Sequence, residues 1–477
     1  MSALLAPFRE YGFNRYAIKQ AAVTTATVRR AFDLATCLRA EGAHFAGRSF
    51  DRAQHVCQAI RLLEGFPTSK HLVRLHNAVL RQAGIGNGEA ASNATNEILQ
   101  SYLSLGVSSS DARQYFQHGP DYAARMKFPR ADENPRRQGN LVVLKAHDPV
   151  RGEKGILYLQ YTESIRPFVA LFDIEALAER YLLVVEPSTW GYQDESFLLL
   201  VRPGFEVLIQ AQDATDFDYI AGLRSNLIPI RIGAGDWIDP DNFAPVSGKP
   251  KEFDFVMVAS WSPVKRHAFF FDALARAGLH SASVALIGYP WEGRTGHDIQ
   301  RMAQCVGLTG VHIFERISRA EVAAIIGRSR VGVMLTRREG ANRGIYECLF
   351  CDVPIVIPAS NRGVNKALIN DMTGKLATDS ELPQVLQAAL RASQTFKPRQ
   401  WAMRHTGYRN AWCVLNSRLA GLAAERGESY EMPIAMTRSS PAATYVDDAD
   451  RERLQSEYDQ LKRLLRSRTD VSASWEA

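Results

Sequence analysis

The stretch from residue 331 to residue 378 decides the fold, and it reads VGVMLTRREG ANRGIYECLF CDVPIVIPAS NRGVNKALIN DMTGKLAT. An apolar run at 331–335 is followed by a charged turn, a short helical pattern and a second apolar run at 353–357. This order is typical of a strand–loop–helix–strand unit. Because parallel sheets bind ligands at the carboxyl ends of their strands, the loop of this unit is a candidate site.

Two carboxylates flank the start of the predicted helix. Glu339 lies in the loop, and Glu347 lies about two helical turns further on. The first can accept hydrogen bonds from sugar hydroxyls, and the second can hold a neighbouring diol such as a ribose. The backbone amides of residues 340–344, at the helix N-terminus, suit a phosphate or an oxyanion. The residues alone therefore indicate a site for hydroxyl groups and a phosphate.

The same residues resemble the donor-site signature of group 1 (family four) retaining GT-B glycosyltransferases. In that family the segment usually reads E-G-F-G-L-P-x-x-E-A-x-A-x-G-x-P-V, followed by a tGxL segment. Here seven residues separate Glu339 from Glu347, and CDVP at 351–354 and TG at 373–374 follow. This chain departs from the pattern at 341–344, which reads ANRG and lacks the usual second glycine and the proline.

Two upstream segments extend the resemblance. GAGD at 233–236, followed by Phe243, is similar to the N-G-V-D-x-x-x-F segment that closes the first domain in that family. SWSPVKRH at 260–267 follows an apolar run where the family usually reads G-R-x-x-x-x-K-G. Lys265 keeps the position of the lysine, whereas Ser260 replaces the arginine.

The resemblance implies a role for each loop. Glu339 would hold the donor sugar, Glu347 would hold the ribose, and Lys265 and Arg266 would stabilise the departing diphosphate, so that the catalytic set is Glu339, Lys265 and Arg266. Either Arg266 or Arg343 would supply the charge missing at Ser260. The remaining residues of the predicted donor site are Gly340, Ala341, Asn342, and the nucleobase-seating pair Arg316 and Ile317.

Length and composition bound the class of protein. The chain has 477 residues, 46% of them apolar and 23% charged, which is ordinary for a globular protein of two or three domains. No apolar run is long enough to cross a bilayer, and the first residues lack the pattern of a secretory signal. Six scattered cysteines fit a reducing compartment. We expect a cytoplasmic protein, with peripheral contact at the inner membrane face left open.

The texture of the sequence divides the chain. Helical spacing and short breakers dominate before a polar linker at 128–138, and short apolar runs that suit a mainly parallel sheet follow it. The resemblance implies an α/β, GT-B fold with two facing Rossmann-like domains, an all-α N-terminal domain and a helical C-terminal tail. The predicted parts are a helical domain at 1–130, an acceptor-side domain at 139–243, a donor-binding domain at 251–395, a crossing helix at 396–425 and a C-terminal helix at 447–470.

The C-terminal third carries three local predictions. The pattern at 400–423 predicts a single helix, and 428–446 reads as a loose linker. The tail then has a short apolar stripe that includes Leu454, Tyr458 and Leu461, which can dock on its own chain or on a second copy.

Several other residues are candidates for binding. His147 ends the first strand of the acceptor-side domain, and Trp190 and Tyr192 follow a later strand, so all three are candidate acceptor-side groups. The pair Cys348 and Cys351 reads as core cysteine, because no second pair accompanies it. The acidic residues at 448–450 fit a helix start, so we assign no metal site.

The resemblance implies transfer of a sugar from a nucleotide diphosphate sugar to a glycan or lipid-linked acceptor, with retention, without a metal or a cofactor, in bacterial surface-polysaccharide assembly. The mild charge of +6 does not require nucleic acid. An alternative is a non-catalytic GT-B-like scaffold acting through its helical domain, and homo-oligomers through the helical regions stay open. A dinucleotide oxidoreductase needs a G-x-G-x-x-G after a strand, which the chain lacks.

Overall fold

The computed structural model describes residues 25–63, 68–86, 95–105, 140–188, 190–245, 248, 250–291, 293–340, 342–439 and 443–465. The described chain forms two compact units. Gly235–Asn410 is one unit, called here the 235–410 unit. Ala26–Ala234 and the described residues from Ala411 onward form the other, called the two-segment unit. The chain therefore passes between the units twice.

The predicted helical N-terminal region is present. It contains α1 (Ala26–Phe45), α2 (Ser49–Leu63), α3 (Lys70–Gln82) and α4 (Glu97–Ser104). The side chain of Ser69 caps α3 by accepting a hydrogen bond from the Leu72 amide at 3.0 Å. The end of the predicted helical domain and the linker predicted at 128–138 lie outside the described residues.

These helices belong to the same compact unit as the first sheet. Asn96, which caps α4, donates hydrogen bonds to the carbonyls of Leu198 and Val201, both at 2.8 Å. Arg61 of α2 forms an ion pair with Asp194 at 2.5 Å. Buried polar groups paired in this way tie the helices to loops of the α/β fold.

The first sheet has the strand order β1-β2-β3-β4-β5. The strands are β1 (Leu141–Lys145), β2 (Gly155–Gln160), β3 (Tyr181–Glu186), β4 (Val207–Gln210) and β5 (Leu227–Ile230). β2 to β5 are parallel, and β1 runs antiparallel to β2. Continuous burial along β1 to β4 matches a sheet covered on both faces. The helices that follow β2, β3 and β4 are α5 (Ile165–Leu171), α6 (Ile174–Arg180), α7 (Glu195–Leu198) and α8 (Ala214–Gly222).

The second sheet has the order β8-β7-β6-β9-β10-β11, all parallel. Its strands are β6 (Phe253–Val258), β7 (Val284–Gly288), β8 (Val311–Glu315), β9 (Ser329–Val333), β10 (Ile355–Pro358) and β11 (Gly374–Ala377). Its helices are α9 (His267–Arg276), α10 (Gly296–Cys305), α11 (Arg319–Gly327), α12 (Arg343–Phe350) and α13 (Leu382–Arg391). The order reverses between β6 and β9, which makes this the topological switch point of a doubly wound sheet.

Alternation along β6 explains why both faces of this sheet are covered. Phe255 and Met257 enter one buried cluster, and Val256 enters the other. Successive side chains of a strand point to opposite faces, so one strand contributes to two cores.

The single helix predicted at 400–423 is wrong. The structure has α14 (Pro398–His405) and α15 (Tyr408–Glu425), separated at Gly407, whose φ is +92°. A Cβ there would lie 3.2 Å from Pro240 and 3.3 Å from Phe350. Only glycine tolerates that combination, so the helix stops and restarts.

The loose linker predicted at 428–446 is wrong in part, because it contains the hairpin β12 (Thr437–Ser439) and β13 (Ala443–Tyr445). The last described helix is α16 (Asp448–Arg463). Its apolar stripe docks on its own chain: the Tyr458 hydroxyl accepts a hydrogen bond from the Val143 amide of β1 at 3.1 Å. The alternative of a second copy is not needed to bury the stripe.

Candidate functional site

The carboxyl edge of the second sheet brings the predicted donor loops together. The switch point lies between β6 and β9, and α12 begins there. A Cβ on Gly344, in the first turn of α12, would lie 3.5 Å from the Val258 side chain at the end of β6. The N-terminus of α12, with its partial positive charge, therefore lies at the place where open α/β sheets bind ligands.

Local hydrogen bonds hold the loop that precedes α12. Asn342 is the N-cap, and its side chain accepts a hydrogen bond from the Ile345 amide at 3.2 Å. The Glu339 amide donates to the Arg362 carbonyl at 2.9 Å. The predicted site residue Ala341 lies outside the described residues. The unusual Asn342 of the sequence motif thus has a defined role as a helix cap.

Two predicted catalytic residues are in direct contact. Lys265 Nζ lies 2.7 Å from Glu339 Oε2, and their side chains are 19% and 15% exposed. Partial burial strengthens the electrostatic attraction between the two side chains, and both stay exposed enough for a ligand to reach them. A phosphate would attract the ammonium, and sugar hydroxyls would donate to the carboxylate.

Arg266 differs from its predicted role. Its guanidinium is buried and forms two hydrogen bonds with Asp379, at 3.0 and 2.9 Å, and a third with the Leu335 carbonyl at 3.3 Å. Arg337 contacts the same carboxylate at 2.6 Å. The prediction that Arg266 contacts a diphosphate is therefore wrong, because Asp379 already holds its fork of donors. Arg266 has φ +62° and fixes the loop that presents Lys265.

Glu347 is a buried carboxylate in α12, with 8% of its surface exposed. Burial raises its pKa, while the nearby guanidinium groups of Arg319 and Arg343 act in the opposite direction. Within the described residues, no side chain or amide donates a hydrogen bond to this carboxylate. A largely buried carboxylate at a ligand-binding edge, without a donor among the described residues, is suited to accept hydrogen bonds from hydroxyl groups.

Arg319 is a residue that the sequence reading missed. It opens α11 after the Ser318 cap and lies with its guanidinium 5.6 Å from the Phe243 ring centre. Its field reaches both Glu347 and Arg343. Neither spacing nor a motif pointed to it, since it lies on a different loop from the two glutamates.

The predicted nucleobase loop follows β8. Arg316 has φ +51° and is exposed, and its amide donates to the Gly288 carbonyl at 3.0 Å. Ile317 is half-buried against the core. The adjoining loop carries two aromatic rings that the sequence reading left unassigned, Tyr289 and Trp291. They are 47% and 48% exposed and lie 6.2 Å apart.

The acceptor-side predictions fare differently. His147 follows the end of β1, as predicted, but β1 is antiparallel, so the end of β1 lies beside the start of β2 and not beside the carboxyl ends of the parallel strands. The His147 amide donates to Glu457 at 3.1 Å. Tyr192 is wrong as a stacking platform, because it is buried and its hydroxyl donates to the Gln210 carbonyl at 2.5 Å. Trp190 is half-buried and stays a prediction.

Cys348 and Cys351 are both buried, as predicted for core residues. Burial raises the pKa of Cys351 to about 12, so its thiol is unreactive at neutral pH. Across the described ranges, no three His, Cys, Asp or Glu side chains are grouped as metal ligands. A helix long and apolar enough to cross a bilayer is likewise absent from those ranges.

Ser260 follows β6 and is partly exposed, beside the buried Trp261. The Trp261 indole donates to Glu315 at 3.0 Å, which fixes this loop from the other side. The structure therefore assembles Ser260, Lys265, Glu339, Asn342 and Glu347 on loops and a helix at one sheet edge.

A comparison with family models matches the segment of the chain that carries these residues. Residues 252–394 match the family described as "Glycosyl transferases group 1". These residues, under a third of the chain, form a glycosyltransferase domain, and the two helix-flanked sheets give a GT-B-like fold. No curated protein sequence matches the chain.

Several solved structures are similar to parts of the chain. Sucrose-phosphate synthase from Thermosynechococcus elongatus has a TM-score of 0.45 and 16% identity, over 57% of this chain and 74% of that chain. HepE of Anabaena, in complex with UDP, has a TM-score of 0.42 and 15% sequence identity, over 56% of this chain and 77% of that chain. A third is the C-terminal domain of a glycosyl transferase group 1 family protein from Francisella tularensis. Its TM-score is 0.31 and its sequence identity is 13%, over 35% of this chain and 97% of that chain.

Proposed function

We propose that the protein is a retaining glycosyltransferase that moves a sugar from a nucleotide diphosphate sugar to a hydroxyl of a glycan or a lipid-linked glycan. The observation that carries the proposal is the grouping of Lys265, Glu339 and Glu347 around the N-terminus of α12. These groups lie in the segment that matches the glycosyltransferase family. Bacterial surface-polysaccharide assembly at the inner membrane face is the proposed setting, on the strength of the sequence resemblance.

Each group has a role in this proposal. Glu347 accepts hydrogen bonds from the ribose, because its buried carboxylate lacks a donor among the described residues. Glu339 accepts from hydroxyls of the donor sugar. Lys265 leaves Glu339 for the diphosphate and neutralises the charge that develops as the anomeric C–O bond breaks.

Retention is proposed through attack on the same face from which the diphosphate departs. The acceptor oxygen bonds to the anomeric carbon, and its proton passes to an oxygen of the leaving diphosphate. The ammonium of Lys265 and the α12 N-terminus supply positive charge at that point, so we propose that no metal cofactor is required. Turnover that persists in EDTA supports this, whereas full dependence on a divalent cation contradicts it.

A non-catalytic scaffold is the second candidate. The observation that favours it is the reduced charge at the diphosphate position: Ser260 replaces an arginine, and Arg266 is held by Asp379. A scaffold predicts weak nucleotide binding and no hydrolysis or transfer of the donor.

Nucleotide binding is the first experiment. Thermal shift against UDP, GDP, ADP and their sugar conjugates identifies the ligand, because a ligand that binds the folded state raises the melting temperature. Calorimetry then compares Glu347→Ala with the exposed control Glu452→Ala. We expect at least a tenfold loss of affinity in the first alone. Equal affinities would remove Glu347 from the site, and binding without any turnover of sugar donor would favour the scaffold.

A further inference from the structure

The two-segment unit contains a cavity of about 1080 Å³ that the proposed reaction does not use. Gly204 and Asn226, which line it, precede β4 and β5, so the cavity lies at the amino edge of the parallel strands. Arg81, in the C-terminal turn of α3, forms part of another wall. Ligand sites of open sheets usually lie at the carboxyl edge, so this cavity is a separate feature.

The charge of the cavity is positive. Arg81, Arg202 and Arg224 line it, and no aspartate or glutamate does so among the described lining residues. Arg202 pairs with the exposed Glu175 at 3.0 Å. Arg81 and Arg224 are exposed, and in the described part of the chain no acid pairs with either. Two guanidinium groups are thus available to an anion.

The backbone at Arg224 indicates that its side chain matters. Arg224 has φ +48°, in the left-handed region that costs a non-glycine residue about 1 kcal/mol. The two other left-handed residues that line the cavity, Gly84 and Gly204, are glycines. A helix C-terminus attracts cations and so accounts for a charge there. The helix C-terminus does not explain why the left-handed position 224 holds an arginine and not a glycine, which fits that backbone better. Backbone strain at a non-glycine residue is typical of functional sites.

The floor of the cavity is apolar. Ile85, Val201 and Leu223 lie there, and each is less than one-tenth exposed. Asn77 and Ser225 add polar groups at the wall. An anionic head with an uncharged body that presents C–H groups, such as a glycerol backbone, a sugar face or hydrocarbon, would satisfy both surfaces, and the volume lies near the upper end for small-molecule sites.

We propose that this cavity binds a phosphorylated ligand, with the phosphate on Arg81 and Arg224 and the uncharged body on the apolar floor. A soluble sugar phosphate and a phospholipid headgroup share this chemistry. The site is independent of the proposed donor site, since none of its residues belongs to the 235–410 unit.

The test variant is Arg81→Ala combined with Arg224→Gly. Glycine suits the left-handed backbone at 224, so the variant loses both guanidinium groups without adding strain. Calorimetry with glycerol 3-phosphate at low salt should show at least tenfold weaker binding than in the unaltered protein. Arg39→Ala, an exposed arginine of α1, is the matched control, and Lys265→Ala controls for the donor site; both should bind normally.

The source of the phosphate is distinguished by a second arm. Vesicles of phosphatidylglycerol and phosphatidylcholine, against phosphatidylcholine alone, are tested by co-sedimentation. Capture that needs phosphatidylglycerol and is lost in the double variant supports a headgroup ligand, whereas binding of glycerol 3-phosphate without vesicle capture supports a soluble one. The proposal is overturned if the unaltered protein binds neither glycerol 3-phosphate nor phosphatidylglycerol vesicles, or if the folded double variant binds them as well as the unaltered protein does.

Discussion

The ion pair between Lys265 and Glu339 determines which groups a ligand needs in order to bind at this site. Each group neutralises the other at 2.7 Å, so a ligand must compete with this contact on both sides. A diphosphate offers the ammonium a stronger partner, and hydroxyls offer the carboxylate several donors. The pair therefore favours a ligand that carries both groups over one that carries either alone.

Replacing Lys265 with Ala should weaken binding of a nucleoside diphosphate by tenfold or more. A hydrogen bond to a charged group contributes about 1.5–3 kcal/mol, and the unpaired Glu339 would also repel the phosphates. Calorimetry should show a smaller loss for the monophosphate of the same base. The exposed Lys397→Ala is the control. Equal losses for both nucleotides would mean that Lys265 does not contact the distal phosphate.

The pKa of Glu347 gives a second prediction at this scale. Burial raises it above the ordinary value of 4.5, so the folded state holds a proton that the unfolded state releases. This contribution to stability is complete below about pH 4.5 and is lost as pH rises through the raised pKa. Glu347→Gln removes the titration. Between pH 4 and pH 7, the free energy of unfolding of the variant, measured in urea, should therefore rise relative to that of the unaltered protein. A difference in free energy that does not change with pH would contradict the assignment.

Sequence spacing predicts Glu339 in the loop after β9 and Glu347 in the helix that follows, and the family resemblance predicts Lys265 in the loop after β6; the structure has Glu347 in α12. Neither could identify the partner of Arg266, since Asp379 lies 113 residues further along the chain. Contacts of that separation depend on tertiary packing that composition and periodicity do not encode.

At the scale of elements, helix α12 is positioned by a glycine on another segment. A Cβ on Gly235 would lie 2.1 Å from the ring of Tyr346, the residue before Glu347. The Tyr346 hydroxyl also donates to Asp236, at 3.5 Å, and the Thr406 hydroxyl donates to the same carboxylate at 2.5 Å. The start of the 235–410 unit thus sets where the helix lies.

Gly235→Ala should therefore displace α12 and weaken nucleotide binding several-fold, although Gly235 is not a proposed ligand contact. Overpacking of this kind also lowers the free energy of unfolding by about 1–3 kcal/mol. Gly42→Ala in α1 is the control, because a Cβ there meets nothing within 4 Å. Calorimetry and urea unfolding measure both effects; normal affinity in a destabilised variant would show that α12 relaxes without moving Glu347.

Sequence patterns predicted most strands of both sheets but not the direction of β1. A short apolar run carries no information on direction, and the decisive feature is the hairpin-like turn between Asp148 and Glu153, whose backbones exchange hydrogen bonds at 2.9 and 3.0 Å. That one reversal moved His147 to the other edge of the sheet.

At the scale of the whole molecule, the two-segment unit is completed by residues from far along the chain. Tyr458 of α16 and Tyr445 of β13 both bond to Val143 of β1, and their hydroxyls lie 2.9 Å apart. The domain boundaries read from the sequence follow linkers, whereas this association depends on packing between segments some 300 residues apart.

Tyr458→Ala should lower the free energy of unfolding by about 3–5 kcal/mol, the usual cost of deleting a large buried aromatic side chain. Hydrogen exchange should increase in β1, Leu141–Lys145, and stay unchanged in β9, Ser329–Val333. Tyr458→Phe, which removes only the hydroxyl, should give a smaller effect. Faster hydrogen exchange in both β1 and β9 would mean that the substitution destabilises both units and not the two-segment unit alone.

The docking of α16 also has a consequence for how the protein is made. Tyr458 is synthesised 315 residues after Val143, which is about 15–60 s at bacterial or eukaryotic elongation rates of about 5–20 residues per second. During that interval β1 is an edge strand whose covering segment has not yet been made, and the 235–410 unit is synthesised before that segment. Exposed edges of this kind pair with neighbouring chains. The edge of the first sheet is therefore uncovered until α16 has been synthesised. Chains whose synthesis stalls before α16 are the ones most prone to aggregate.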